Sequence, residues 1–153
     1  MVYGRAFFNE HYEKAGYDNL TSVNDDKKTV ALLFELMQIA PENIIIFTDA
    51  TYDEIDEAFK VIKSKATIAS TNPTMKVLFV VWYGGHGEIS DGLATTQIVT
   101  NDPDATKRRF SLEQKLSEIA YLDNTYVYAF LDCCRVQVKD YYLWRMFLLK
   151  FLI

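Results

Sequence analysis

Strand-length apolar runs alternate with helix-spaced segments along this chain, and that alternation restricts its fold more than any other feature. The runs are Ala6–Phe8, Ile44–Phe47, Val77–Tyr83 and Tyr126–Leu131. Continuous apolar character is typical of strands that are covered on both faces, as in a parallel sheet. The order strand, helix, strand, helix, strand, helix, strand predicts an α/β fold. We expect a three-layer α/β/α sandwich with a mostly parallel sheet that ends after its fourth main strand.

Three segments between these runs are predicted to be helices. Val23–Ile39 has apolar residues that recur at helical spacing. Thr51 with Glu54, and Ser111 with Gln114, have the spacing of capping boxes that would open the second and third helices.

Composition excludes several classes of function. A chain of 153 residues suits one domain, and its net charge of -5 argues against nucleic acid as a partner. The only two cysteines, Cys133 and Cys134, are adjacent, and adjacent cysteines rarely form a disulfide with each other. A chain without a disulfide framework fits a reducing compartment. We find no signal peptide, and no apolar run reaches the ~18 residues of a membrane span, so the sequence predicts a cytoplasmic protein.

The residues with reactive side chains follow the two most hydrophobic runs. Tyr83–Gly87 supplies an imidazole, His86, and Asp132–Arg135 supplies thiols. In parallel sheets the functional groups gather beyond the carboxyl ends of the strands. A thiol attacks as thiolate, and a histidine that titrates near neutral pH can activate it and then protonate a leaving amine. A zinc site from His86 and both cysteines is the weaker alternative, since adjacent cysteines lack the usual ligand spacing.

Tyr-Gly-Gly-His-Gly at 83–87 and Asp-Cys-Cys-Arg at 132–135 together resemble the caspase, metacaspase and paracaspase group of cysteine peptidases. The interval from His86 to Cys134 is close to the ~50 residues typical of caspases. The resemblance covers Ala6 to Arg135 and implies that His86 is the catalytic histidine. It also implies that Cys134, which directly precedes Arg135, is the nucleophile, and that the amides of Gly87 and Cys134 bind the oxyanion. Cys133 would then be a small buried hydrophobic residue.

The residue two positions before the nucleophile implies the substrate class. Asp132 stands where metacaspases and paracaspases have an Asp that binds a basic P1 side chain, whereas caspases have Gln there and cleave after Asp. The sequence has no Arg between Asn9 and Asp26, where caspases place an Arg of their acidic P1 pocket. The resemblance therefore implies protein or peptide substrates that are cleaved after Arg or Lys.

The resemblance implies no obligatory cofactor, although some metacaspases require calcium. Four acidic residues could bind that ion, namely Asp49, Asp53, Asp56 and Asp91. A solvated acidic surface is the simpler interpretation of each.

The resemblance divides the chain into a catalytic large-subunit domain, 1–138, and an unassigned hydrophobic tail, 139–153. Family members continue into a small subunit that completes the sheet and part of the P1 pocket. Without it, Tyr126–Leu131 would be an open sheet edge that the tail could cover, or through which a second copy or a caspase-like relative could pair. The hypotheses are thus a metacaspase-type endopeptidase, a non-catalytic module that regulates a full-length relative, and a truncated gene product.

Overall fold

The computed structural model describes residues 1–89, 96–133 and 147–151, the last range as backbone only. The strands in chain order are Val2–Phe8 (β1), Ile44–Thr48 (β2), Val77–Gly85 (β3), Gly87–Ile89 (β4), Thr96–Val99 (β5), Arg109–Phe110 (β6), Thr125–Cys133 (β7) and Phe147–Phe151 (β8). The helices are Val23–Leu36 (α1), Tyr52–Ser70 (α2) and Leu112–Ala120 (α3).

The main sheet has the strand order β2-β1-β3-β7-β8. Its first four members pair in parallel, and they contain the four apolar runs of the sequence. β8 pairs with β7 in antiparallel orientation, so the sheet extends one strand beyond the predicted fourth. The expected α/β fold with a mostly parallel sheet is confirmed.

Helices cover both faces of this sheet because successive side chains of a buried strand point to opposite sides. Phe8 packs on one face with Phe34 of α1, whereas Phe7 packs on the other with Phe59 of α2, and all of them are almost completely buried. α3 lies on the same face as α2. Each such side chain contributes roughly 1.5–3 kcal/mol through burial, which makes the layers the main source of stability.

The helix ends differ in part from the sequence prediction. α1 ends at Leu36 rather than Ile39, and Gln38 has a left-handed φ of 56° just beyond it. Thr51 and Glu54 form the predicted capping box of α2, but the side chain of Ser111 makes no capping hydrogen bond at α3. None of the helices in the described part of the chain is both long and apolar enough to cross a membrane.

A second, antiparallel sheet was not predicted. It has the strand order β4-β5-β6 and lies in the sequence between β3 and α3. The backbone N–H of Val99 in β5 donates to the carbonyl oxygen of His86 at 2.9 Å. This small sheet therefore fixes the segment that directly follows β3.

Candidate active site

The carboxyl ends of β3 and β7 meet at one edge of the main sheet. Gly84 is the pairing partner of Asp132, and Gly85 that of Cys133. His86 follows β3 directly, and Cys134 follows β7 directly in the sequence. β3 and β7 therefore end at the same level of the sheet. Cys134 and Arg135 lie outside the described residues, so the contact of the thiol with His86 stays a prediction.

The imidazole of His86 is held by the loop between β1 and α1, residues 9–22. Its Nε2 lies 2.8 Å from the carbonyl oxygen of Asp18. A carbonyl oxygen only accepts hydrogen bonds, so Nε2 must donate the hydrogen. In the neutral ring Nδ1 is then the basic nitrogen, which is the state that a general base requires.

Two tyrosine rings from the same loop pack against this imidazole. The ring centroid of Tyr12 lies 4.6 Å away at an interplanar angle of 63°, and that of Tyr17 lies 5.4 Å away. The hydroxyl of Tyr17 donates to the buried carboxylate of Glu88, which also accepts from Nε of Arg109 at 2.5 Å. The imidazole of His86 is thus restrained by two aromatic contacts as well as by its hydrogen bond.

A buried asparagine fixes the start of this loop. The backbone N–H of Asn9 donates to the carbonyl oxygen of Gly84 at 3.0 Å. Its side chain accepts from the backbone N–H of Ala50 at 3.0 Å and donates to the carbonyl oxygen of Val99 at 3.2 Å. One fully buried residue therefore links β3 through its backbone, and the end of β2 and β5 through its side chain, beside the histidine.

Gly87, the predicted oxyanion residue, is buried and opens β4. It is the pairing partner of Ile98 in β5. The antiparallel sheet thus fixes the backbone next to His86. The role of the Gly87 amide in binding an oxyanion stays a prediction.

Asp132 ends up near a second carboxyl group that sequence reasoning did not assign to the site. Burial raises the pKa of the Asp26 carboxyl in the first turn of α1, and the carboxylates of Asp132 and Asp25 raise it further. Asp132 itself is half-buried near the end of β7. Within the described residues, neither Asp26 nor Asp132 forms an ion pair with a basic side chain.

The carboxylates considered for calcium make other contacts. Asp53 pairs with Lys107 at 2.6 Å, and Asp56 pairs with Lys115 at 2.8 Å. Asp49 accepts from the backbone N–H groups of Glu10 and His11 at 2.7 and 2.9 Å. Asp91 lies outside the described residues. In the ranges that the structure describes, no three His, Cys, Asp or Glu side chains cluster as a metal site would require.

Comparison with known proteins places the chain in a family. Residues 6–144 match the family model described as the caspase domain. Because this match spans most of the sequence, the chain belongs to the caspase domain family, a family of cysteine peptidases. No curated protein sequence matches the chain.

A solved structure supports the same fold. Caspase-1 from Spodoptera frugiperda superimposes with a TM-score of 0.60 at 14% sequence identity. The alignment covers 87% of this chain and 48% of that chain, so this chain spans about half the length of the insect caspase. At this identity the likeness concerns the fold alone.

Proposed function

We propose that this chain is the catalytic part of a cysteine endopeptidase of metacaspase type, which cleaves peptide bonds after Arg or Lys. In this proposal, residues 1–138 form the large-subunit domain and residues 139–153 form a separate tail. The substrates are proteins or peptides with a basic P1 residue, and the protein acts in the cytoplasm.

The observation that best supports this proposal is the hydrogen bond from Nε2 of His86 to the carbonyl oxygen of Asp18. It assigns the tautomer in which Nδ1 can accept a proton. The histidine follows β3, the neighbour of the strand that leads into Cys134. A general base with a fixed ring, next to the segment that contains a thiol, is the arrangement that a cysteine peptidase requires.

The chemistry follows from these positions. Nδ1 of His86 takes the proton of the Cys134 thiol, and the thiolate attacks the carbonyl carbon of the scissile bond. The amides of Gly87 and Cys134 stabilise the oxyanion of the tetrahedral intermediate. The imidazolium then gives its proton to the leaving amine as the C–N bond breaks. Water, deprotonated by the same imidazole, attacks the thioester and releases the acid and the free thiol.

Specificity for a basic P1 residue is supported by the two carboxyl groups near the end of β7. Repulsion from Asp132 contributes to the raised pKa of Asp26. A guanidinium or ammonium group bound at Asp132 would offset that repulsion and gain charge-assisted hydrogen bonds. An aspartate at P1 would meet a like charge instead.

Peptides that differ only at P1 test this proposal. We expect hydrolysis after Arg and Lys and none after Asp, and we expect Asp132→Asn to lower kcat/KM for the Arg peptide about 10- to 100-fold, the value of one charged hydrogen bond. Asp53→Asn is the control, because this carboxylate is 70% exposed and pairs with Lys107. Preference for Asp at P1, or equal effects of the two variants, would contradict the assigned specificity.

A further inference from the structure

The backbone of His86 is bonded to two buried tyrosine hydroxyls. The N–H of His86 donates to the hydroxyl of Tyr12 at 2.9 Å. The hydroxyl of Tyr83 donates to the carbonyl oxygen of His86 at 2.7 Å. Both tyrosine side chains are fully buried, and we call these two residues the tyrosine pair.

The two hydroxyls also contact each other, at an oxygen–oxygen distance of 3.4 Å. Because Tyr12 accepts from the N–H of His86, its own hydrogen is free to point at the oxygen of Tyr83. Two carbonyl oxygens can accept the hydrogen of Tyr83, that of His86 at 2.7 Å and that of Val99 at 3.1 Å, and the shorter bond is the one to His86. The bonds thus close a ring that starts and ends on one residue, and each hydroxyl both accepts and donates.

This closed cycle of hydrogen bonds depends on both phenols keeping their protons. Burial raises the pKa of Tyr12 to about 12 and raises that of Tyr83 well above its usual value. Both hydroxyls therefore stay protonated through the whole range in which a thiol–imidazole pair works.

Gly85, which directly precedes His86, leaves room for this cycle of hydrogen bonds. A Cβ added at Gly85 would lie 2.3 Å from the hydroxyl oxygen of Tyr12 and 2.6 Å from that of Tyr83. These distances are far inside van der Waals contact. Glycine at this position therefore lets both hydroxyls approach the backbone before His86.

We infer that Tyr12 and Tyr83 are positioning residues for catalysis: their hydroxyls fix the peptide backbone of His86 and so hold its imidazole in the position that the reaction requires. This inference rests on the proposed peptidase function. Tyr12 acts twice, because its hydroxyl bonds the backbone while its ring packs on the imidazole. Without the hydroxyl bonds the backbone gains freedom, and a shift of about 1 Å at a reacting group can slow a reaction ~100-fold.

Tyr12→Phe tests the inference because it removes the hydroxyl and keeps the ring. We expect kcat for an Arg peptide to fall about 10- to 100-fold while KM stays within about twofold, since substrate binding is untouched. We also expect the amide of His86 to lose its protection from hydrogen exchange, as measured by NMR. Tyr83→Phe should lower kcat less than Tyr12→Phe does, because the carbonyl oxygen of His86 still accepts from the N–H of Val99.

Tyr3→Phe is the matched control. Tyr3 is buried in the same sheet, but within the described residues its hydroxyl bonds the sulfur of Met1 alone, at 3.4 Å. This variant should keep kcat and the His86 protection. If Tyr12→Phe fails to fold, Tyr83→Phe decides by a fall in kcat with KM unchanged, because its hydroxyl bonds the carbonyl oxygen of His86 rather than the N–H.

The outcomes separate the two claims. An active wild-type chain whose tyrosine variants keep full kcat would overturn the positioning role and leave the peptidase function intact. A lower kcat with a higher KM and a lower Tm would show that the tyrosines only stabilise the fold. That result would also overturn the positioning role. A folded wild-type chain that hydrolyses no peptide would overturn the proposed function, and the positioning role with it, even if exchange confirmed the hydroxyl bonds.

Discussion

At the scale of single residues, His86 is held mainly by side chains and carbonyls far from it in sequence. Tyr12, Tyr17 and Asp18 all come from the loop between β1 and α1. They restrain its backbone, its ring plane and its Nε2, respectively. The catalytic role proposed for the imidazole therefore depends on how this loop is anchored.

One anchor of the loop predicts a pH dependence of stability. The ring of His11 bonds Asp49 at 2.7 Å, and this hydrogen bond together with the charge of Asp49 raises the pKa of His11 above 6.5. A raised pKa stabilises the folded state below pH 6.5, and that contribution is lost as the pH rises through the pKa that His11 has in the folded state. We therefore expect His11→Ala to destabilise the protein at about pH 5.5 and to have little effect at about pH 8.5.

Urea unfolding of both proteins at the two pH values measures this difference. Asp49 stays ionised at both pH values. Burial opposes ionisation of this carboxyl, but its hydrogen bonds from His11 and Glu10 lower its pKa on balance. A destabilisation that is the same at both pH values, or that grows with pH, would contradict the ion pair. NMR titration of the His11 ring gives an independent check.

The sequence was sufficient to predict where His86 and Asp132 lie, because both follow or end apolar strand runs. The tyrosine contacts could not be predicted in the same way. Tyr12 bonds a residue 74 positions away, and no periodic pattern encodes the path of the loop between them. The sequence did not assign Asp26 to the site, because its interaction with Asp132 depends on how α1 packs.

At the scale of elements, the long strands and helices were predictable because each has many apolar residues at one period. β4, β5 and β6 were not predicted, because strands of two to four residues are too short to show a period. Ser111 shows a related limit of sequence patterns, since a capping-box spacing does not ensure that the hydroxyl bonds the backbone.

The two helix starts provide a matched pair of substitutions. The hydroxyl of Thr51 accepts from the backbone N–H of Glu54, and the Glu54 carboxylate accepts from the backbone N–H of Thr51 at 2.8 Å. Thr51→Ala should lower the free energy of unfolding by about 1 kcal/mol. Ser111→Ala should cost only a few tenths of a kcal/mol, because no capping bond is lost.

Denaturant unfolding of the two variants beside the wild-type chain measures both values. Equal losses would show that the two helix starts are capped alike. A larger loss at Ser111 would contradict the local geometry of α3.

At the scale of the whole molecule, the position of β8 changes the expectation for the sheet edge. Tyr126–Leu131 was predicted to be an open edge that the tail could cover, or through which a second copy or a caspase-like relative could pair. The structure shows the first of these, since Val127 to Leu131 pair with Phe151 to Phe147. The other edge of the sheet is β2, whose Ile45 is exposed.

Removal of β8 should therefore promote association. A chain shortened to end at Met146 exposes the backbone N–H and C=O groups of β7, and an apolar strand with such groups recruits further strands. We expect this variant to form larger species than the 153-residue chain does at the same concentration. Sedimentation velocity measures this.

Leu149→Pro is a second variant that keeps the length. Leu149 pairs with Ala129 in the middle of β8, and proline would remove a backbone N–H from the strand. Shortened and Leu149→Pro chains that both sediment like the wild-type chain would show that β8 does not protect the edge.

The most direct test of the central claim compares the two adjacent cysteines in hydrolysis of an Arg-P1 fluorogenic peptide, with and without calcium. If Cys134 is the nucleophile that His86 activates, Cys134→Ala should abolish turnover. Cys133→Ala should keep it within a few-fold, because Cys133 is a buried residue at the end of β7. Turnover that survives Cys134→Ala, or a folded wild-type chain that never hydrolyses the peptide, would contradict the account.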